Sequence, residues 1–156
     1  LTTVWLLIGT ALFLGVQAMQ QRAERSRFSF DAASGRIELK RAPDGHFHWP
    51  GTLNGIEVEF LVDTGATSVA MSSDEAQRLG LDYKKGRRGM TSTANGVAPI
   101  YVMKADKVSI GDITLHQIEV SVIEGAGLPI TLLGMSFLNR LEMKQDSGQM
   151  TLTKRF

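Results

Sequence analysis

The chain has 156 residues, with 17 Lys and Arg against 16 Asp and Glu, and the resulting formal charge of +1 gives no electrostatic reason to expect a nucleic acid partner. Cysteine is absent, which excludes disulfide frameworks, thiolate nucleophiles and Cys-based zinc sites while leaving the redox compartment open. The length suits one domain, with about 115 to 120 residues left to fold once an apolar leader and a polar connector are set aside.

The leader comes first. Thr3 to Ala18 are mostly apolar or small, and no charge occurs before Arg22, so residues 1–19 read as a transmembrane anchor or a signal segment. Trp5 suits a membrane interface, and Val16-Gln17-Ala18 also fits a small-x-small cleavage site, the alternative to a permanent anchor. Residues 20–39 mix Arg, Glu, Ser and Gly with weak periodicity, as a connector does, with one strand expected near Arg36 to Lys40. From residue 40 to residue 156 a folded domain is expected.

Within that domain Ile56, Val58 and Phe60 alternate with Glu57 and Glu59, and Leu61-Val62 then run into Asp63, the pattern of a strand that passes from half-buried to fully buried. Ser72-Ser73-Asp74-Glu75 offers a capping box and Gly80 a stop, so one short helix is expected over 73–79. Lys107 to Ile110 and Ile113 to Leu115 flank Gly111-Asp112, whose leading glycine suits a type II′ hairpin, and Ile118, Val120 and Val122 extend the second limb. A second short helix is expected over Met135 to Leu141, after Gly134, and Asp146-Ser147-Gly148 turns the chain into a last strand, Met150 to Thr153. Many short strands with one or two short helices predict an all-β barrel or sandwich.

Chemistry concentrates in Phe60-Leu61-Val62-Asp63-Thr64-Gly65-Ala66-Thr67-Ser68. An apolar strand there delivers a carboxylate into a tight turn, where low dielectric tunes its proton affinity. Gly65 is expected to let the backbone turn, the Thr64 hydroxyl to lock that turn, and Ala66 to leave room around the carboxylate. Asp-Thr-Gly alone arises by chance in about 3% of chains this long, so identification needs further features.

Four features together resemble the retropepsin-like (retroviral-type) aspartic peptidases, and specifically a bacterial, single-span, membrane-anchored branch of them. Leu61 to Ala66 is similar to that family's active-site strand and loop, and Thr91-Ser92-Thr93-Ala94-Asn95-Gly96 lies where its flap would. Leu132-Leu133-Gly134-Met135 resembles the second hydrophobic-hydrophobic-glycine element, with Leu133 and Gly134 beside the loop, and Gly45-His46-Phe47 ahead of Leu53-Asn54-Gly55 marks the bacterial branch. Met135-Ser136 departs from the acidic residue or Asn that many members carry there. The resemblance implies a closed β-barrel whose active site sits at a homodimer interface. It also implies Asp63 as catalytic residue, Thr64, Gly65 and Ala66 as loop support, and Thr93, Ala94, Asn95 and Gly96 as the substrate-binding flap. No metal or organic cofactor is implied, and the expected partners are a protein or peptide substrate, a second copy of the chain and the membrane. The expected location is the bacterial inner membrane, single-pass, with the catalytic domain in the periplasm.

This chemistry needs two carboxylates sharing a proton, one to activate water and one to protonate the scissile carbonyl oxygen. Asp146-Ser147-Gly148 is the other candidate by letters, but it follows the polar Lys144-Gln145 and reads as a hairpin turn. A twofold axis between two copies of Asp63 is the simpler source. The alternative function is a noncatalytic dimer that binds extended peptides or regulates a membrane partner. Asp44, His46 and His48 raise a metal site, but no third histidine is near and strand alternation places both on one polar face. Lys84-Lys85-Gly86-Arg87-Arg88 reads as a solvated basic loop.

Overall fold

The computed structural model describes residues 10–20, 28–31, 33–124 and 127–155. A helix, α1, covers residues 10–20, all of them exposed, and among the described residues no helix is long and apolar enough to cross a membrane. The rest of the expected apolar span, residues 1–9, lies outside the described residues.

The remaining elements follow in chain order: β1 (Phe28–Asp31), β2 (Arg36–Lys40), β3 (His48–Leu53), β4 (Ile56–Val62), β5 (Val69–Ser72), α2 (Ser73–Arg78), β6 (Arg87–Thr93), β7 (Gly96–Ile110), β8 (Ile113–Ile123), β9 (Thr131–Leu133), α3 (Met135–Leu138), β10 (Leu141–Asp146) and β11 (Gln149–Lys154). A single 3₁₀ turn, Tyr83–Lys85, separates α2 from β6. The all-β expectation holds, with strand making up 54% of the described residues.

The seven-stranded sheet has the order β3-β4-β9-β5-β8-β7-β6, and an extra pairing between β3 and β7 closes all but β6 into a barrel. Closure depends on Gly51, which faces Ile110 across that seam: a Cβ there would lie 2.4 Å from the Ser109 carbonyl oxygen and 2.8 Å from the Phe60 ring. Asn54-Gly55 makes the β3–β4 turn with both residues at positive φ (49° and 84°), the geometry of a type I′ hairpin. Asn54 also ties the turn to β7, its N–H donating to the Lys107 carbonyl at 2.9 Å and its Oδ1 accepting from the Lys107 N–H at 3.1 Å. Phe60, Val58, Leu53, Ile110, Ile118, Leu133 and Phe137 fill the interior, each no more than 3% exposed.

The local expectations mostly hold. Ser72 caps α2 by accepting from the Glu75 N–H, and Gly80 stops it at φ +68°. Gly111 takes φ +52° in the β7–β8 turn, as the type II′ reading requires. Inward positions along β8 shift phase after Leu115, resuming at Ile118, because Gln117 adopts φ +53° and interrupts the ladder opposite Asp106. Ser147 and Gly148, at φ 45° and 80°, turn β10 into β11.

Two differences stand out. The stretch read as a connector holds two strands: β2 is where one was expected, and β1 pairs with it in a four-stranded sheet of order β1-β2-β11-β10. Four residues are too few to show a period. The second helix stops at Leu138, since Leu141 instead pairs with Lys154 at the start of β10.

Candidate active site

Strand β4 ends by handing Asp63 to a loop held on two sides. Upstream, the Val62 N–H donates to the Phe47 carbonyl at 2.8 Å; at the loop itself, the Asp63 N–H donates to the Leu133 carbonyl at 3.2 Å. The parallel pairing of β4 with β9, which sets Val62 against Leu133, makes this second contact possible. The expected position of Leu133-Gly134 beside the loop is therefore what the fold produces.

The loop is short and self-bonded. The Gly65 N–H donates to Asp63 Oδ1 at 2.8 Å, and the Ala66 N–H to the Asp63 carbonyl at 3.3 Å. Gly65 acts by clearance and not by a left-handed turn: its φ is not in the positive range, but a Cβ would sit 3.1 Å from Asp63 Oδ1. The Thr64 hydroxyl does not lock the turn within one chain, for Thr64 is exposed and its hydroxyl has no partner among the described residues. Asp63 itself is half-buried, while Gly65 and Thr67 are exposed and Ala66 is partly buried, so one chain alone does not enclose the carboxylate.

Gly134 lets α3 press against this loop. A Cβ on it would lie 2.1 Å from the Ser68 carbonyl oxygen and 2.7 Å from that of Ala66. Through this contact the Met135 N–H donates to the Ala66 carbonyl at 2.8 Å and the Ser136 N–H to the Thr67 carbonyl at 2.9 Å. Ser136, where the sequence departs from the resembled pattern, carries a bridging role that sequence reasoning missed. Its Oγ accepts from the Val69 N–H at 3.0 Å and donates to the Glu119 carbonyl at 2.8 Å, joining α3 to β5 and β8. A second pair under the loop, Ser68 Oγ and Ser121 Oγ at 2.7 Å, also escaped notice. Small hydroxyl residues beside an apolar strand were the available signal.

Thr93, Ala94, Asn95 and Gly96 form the tip of the β6–β7 hairpin, which runs past the point where β8 stops pairing with β7 at Ile100. This arm is outside the barrel. Its turn is fixed by the Thr93 hydroxyl, which donates to the Gly96 carbonyl at 2.7 Å and accepts from the Asn95 N–H at 3.2 Å, with Gly96 at φ +108°. Met90 and Val97 are exposed on it.

Asp146 closes the β10–β11 turn in the other sheet, exposed and hydrogen-bonded to the Ser147 hydroxyl at 2.9 Å, so Asp63 gains no second carboxylate from it. Asp44 is occupied locally: its Oδ2 lies 2.6 Å from His48 Nε2 and its Oδ1 accepts from the His46 N–H at 2.9 Å. That backbone donor, and after it the His48 ring, hold the Asp44 carboxyl below the usual range. The basic cluster is exposed as expected, but Arg87 and Arg88 open a strand and do not lie in a loop; Arg88 stacks over the Tyr101 ring at 5.5 Å.

Comparison with known proteins agrees with this geometry. Residues 49–140, more than half of the chain, match the model of the "gag-polyprotein putative aspartyl protease" family. The chain is 38% identical over 110 residues to an uncharacterized protein in the cobV 5′ region of Sinorhizobium sp, and 36% identical over 123 residues to uncharacterized protein RP867 of Rickettsia prowazekii. These matches cover 70% and 74% of this chain but 47% and 49% of the relatives, so the chain spans about half the length of each. Among solved structures, a retropepsin-like aspartic protease from Rickettsia conorii superposes with a TM-score of 0.65 at 33% identity, covering 77% of this chain and 91% of that one. The EIAV protease complexed with the inhibitor HBY-793 shares the fold, with a TM-score of 0.51 at 17% identity, covering 65% of this chain and 92% of that one.

Proposed function

The chain belongs to the retropepsin-like aspartic protease family, and from that premise we propose that it hydrolyses peptide bonds as a homodimer, each copy supplying Asp63. The observation that carries this reading is the Asp63 loop itself. One intact Asp-Thr-Gly turn is clamped by Leu133 and Gly134, and its outward residues Thr64 and Gly65 are exposed as the surface of a missing half would be.

In the proposed reaction a water lies between the two Asp63 carboxylates, which together hold one proton. The ionised carboxylate takes a proton from the water as its oxygen attacks the scissile carbonyl carbon. The protonated one gives its proton to the carbonyl oxygen, leaving a neutral gem-diol. One aspartate then gives its proton to the amide nitrogen, the C–N bond breaks, and a gem-diol hydroxyl passes its proton to the other aspartate, so that the pair again holds one shared proton. The Gly65 N–H bond to Asp63 Oδ1 fixes the carboxylate plane for these transfers. The hairpin arm tipped by Thr93, Ala94, Asn95 and Gly96 closes over an extended peptide and excludes bulk water.

We further propose that the chain sits at the bacterial inner membrane, anchored through its apolar N-terminal segment with the barrel in the periplasm. Support comes from the apolar run of Thr3 to Ala18, from the exposed Leu12, Phe13, Leu14 and Val16, and from the bacterial relatives. Membrane fractionation with protease protection tests the placement. For the activity, wild type and Asp63→Ala are assayed against a peptide library. Cleavage by wild type that Asp63→Ala lacks is expected, and equal cleavage by both would remove Asp63 from the chemistry.

A further inference from the structure

The β6–β7 arm has two unlike faces. Pairing sets Arg88 opposite Tyr101, Met90 opposite Pro99 and Ser92 opposite Val97, and residues directly opposite on two strands project from the same side of the sheet. These six therefore share one face, while Thr91, Ala98 and Ile100 belong to the other. The second face is sheltered, with Ile100 buried and Thr91 and Ala98 partly so. The first is open: Met90 and Val97 are 64% and 70% exposed, and Ser92 and Pro99 are exposed beside them. Outside α1, Ile56 at 40% is the only other exposed large apolar side chain among the described residues, so the stripe stands apart from the rest of the barrel surface.

A basic turn borders the stripe on the same face. The Tyr83 and Arg88 side chains both meet the Tyr101 ring, the first edge-on at 5.4 Å and the second stacked at 5.5 Å. The 3₁₀ turn Tyr83–Lys85 is thereby laid on the stripe's side of the sheet, so close that a Cβ on the following Gly86 would lie 2.6 Å from the Val102 carbonyl oxygen. Lys84, Lys85, Arg87 and Arg88 are all exposed, and the one acid of the segment, Asp82, pairs with Lys85 at 2.6 Å. Four cations against one acid leave residues 82–88 with a surplus of three positive charges, in a chain whose net charge is +1.

We propose that this face of the arm docks on an anionic lipid bilayer, with Met90, Val97 and Pro99 entering the boundary between headgroups and acyl chains while Lys84, Lys85 and Arg88 meet lipid phosphates. Apolar area and positive charge on one face are the two contributions on which binding at a membrane surface depends. Charge complementarity selects an anionic surface, and the exposed Leu12, Phe13, Leu14 and Val16 of α1 direct the same chain to a bilayer. An arm that closes over a peptide with one face leaves the other for such a contact. The contact deepens the proposed membrane placement, on which it rests, and is independent of the peptidase reading.

Because the chain lacks cysteine, Val97→Cys gives a single attachment point for a nitroxide, and Lys144→Cys, at a side chain 78% exposed on β10, gives a control. The full chain is mixed with vesicles of phosphatidylcholine, with or without phosphatidylglycerol. Electron paramagnetic resonance on the sedimented fraction then measures the access of each label to oxygen and to a water-soluble nickel chelate. With anionic vesicles the label at position 97 should become accessible to oxygen and shielded from nickel, while the label at position 144 stays open to nickel. High salt, or Lys84→Glu with Arg88→Glu in a chain of unchanged Tm, should reduce the lipid-facing population at least about tenfold. A label at position 97 that stays in water while the chain sediments would overturn the arm contact and leave the placement through the leader standing. A chain that sediments with neither vesicle would overturn both. Equal shielding in neutral vesicles, shielding that survives high salt, or shielding from both agents before lipid is added, the mark of a second copy on the stripe, would each overturn the proposal too.

Discussion

Replacing Gly134 by Ala tests how tightly α3 is pressed into the Asp63 loop. The added methyl would start 2.1 Å from the Ser68 carbonyl oxygen, so backbone must move by more than 1 Å to reach an ordinary contact near 3.4 Å. Neither partner is a flexible side-chain end. Moving α3 outward stretches the Met135–Ala66 and Ser136–Thr67 hydrogen bonds, now 2.8 and 2.9 Å, and pulls Ser136 Oγ from the Val69 N–H. Overpacking of about 1–3 kcal/mol, with two or three hydrogen bonds weakened at about 1 kcal/mol each, gives a destabilisation of about 3–6 kcal/mol. That corresponds to a fall in Tm of about 10–20 °C, read by thermal unfolding followed by circular dichroism. Peptidase activity should fall further than the unfolded fraction explains, because the same movement drags the Leu133 carbonyl from Asp63. A variant within about 2 °C of wild type in Tm would refute the claimed contact, since Ala at an ordinary position is tolerated or favoured over Gly.

Three further outcomes are expected. Gly96→Val forces a β-branched residue to φ +108° in an arm outside the barrel, so turnover should fall about tenfold while Tm drops by only a few degrees, measured on the same preparation. Ser136→Ala leaves the Val69 N–H unpaired and should cost about 1–3 kcal/mol in chemical denaturation, against near-neutral behaviour if the serine were merely exposed. The Arg78 guanidinium holds the Glu75 carboxyl below its ordinary pKa of 4.5, so the stability this pair adds is full above that pH and is lost as pH falls through the lower folded value. Wild type should therefore exceed Glu75→Gln by about 0.5 kcal/mol at pH 7, with the gap closing in acid once the pH has fallen below the ordinary carboxylate range; a gap that persists there would contradict the ion-pair origin.

What the sequence revealed was whatever depends on neighbours along the chain. The alternation from Ile56 to Val62 announced the strand that carries Asp63, Ser72 announced the cap of α2, and Gly111 announced its own turn. Barrel closure was different, because β3 and β7 meet across a long sequence separation and the only local trace is a glycine, Gly51, with no special φ. The same applies to Ser136, whose three partners come from three separate elements. The exposure of Thr64 was unreadable for another reason: it depends on what packs around the loop in three dimensions, and among the described residues nothing meets its hydroxyl. The β1 strand and the early end of α3 were decided by sheet pairing to β2 and β11, which local propensity does not encode.

The central claim is a count of carboxylates, two from two chains, and mixing measures it directly. Wild-type protein beginning ahead of β1 is held at fixed concentration while Asp63→Asn protein is added. The substitution keeps the Oδ1 acceptor that Gly65 uses, so mixed dimers should form. If subunits exchange at random, activity per wild-type chain should fall to about one half at equal amounts and about one tenth at ninefold excess. Activity per wild-type chain that stays constant throughout, once subunit exchange has been demonstrated by mass, would show that a single chain suffices and would contradict the shared Asp63 site.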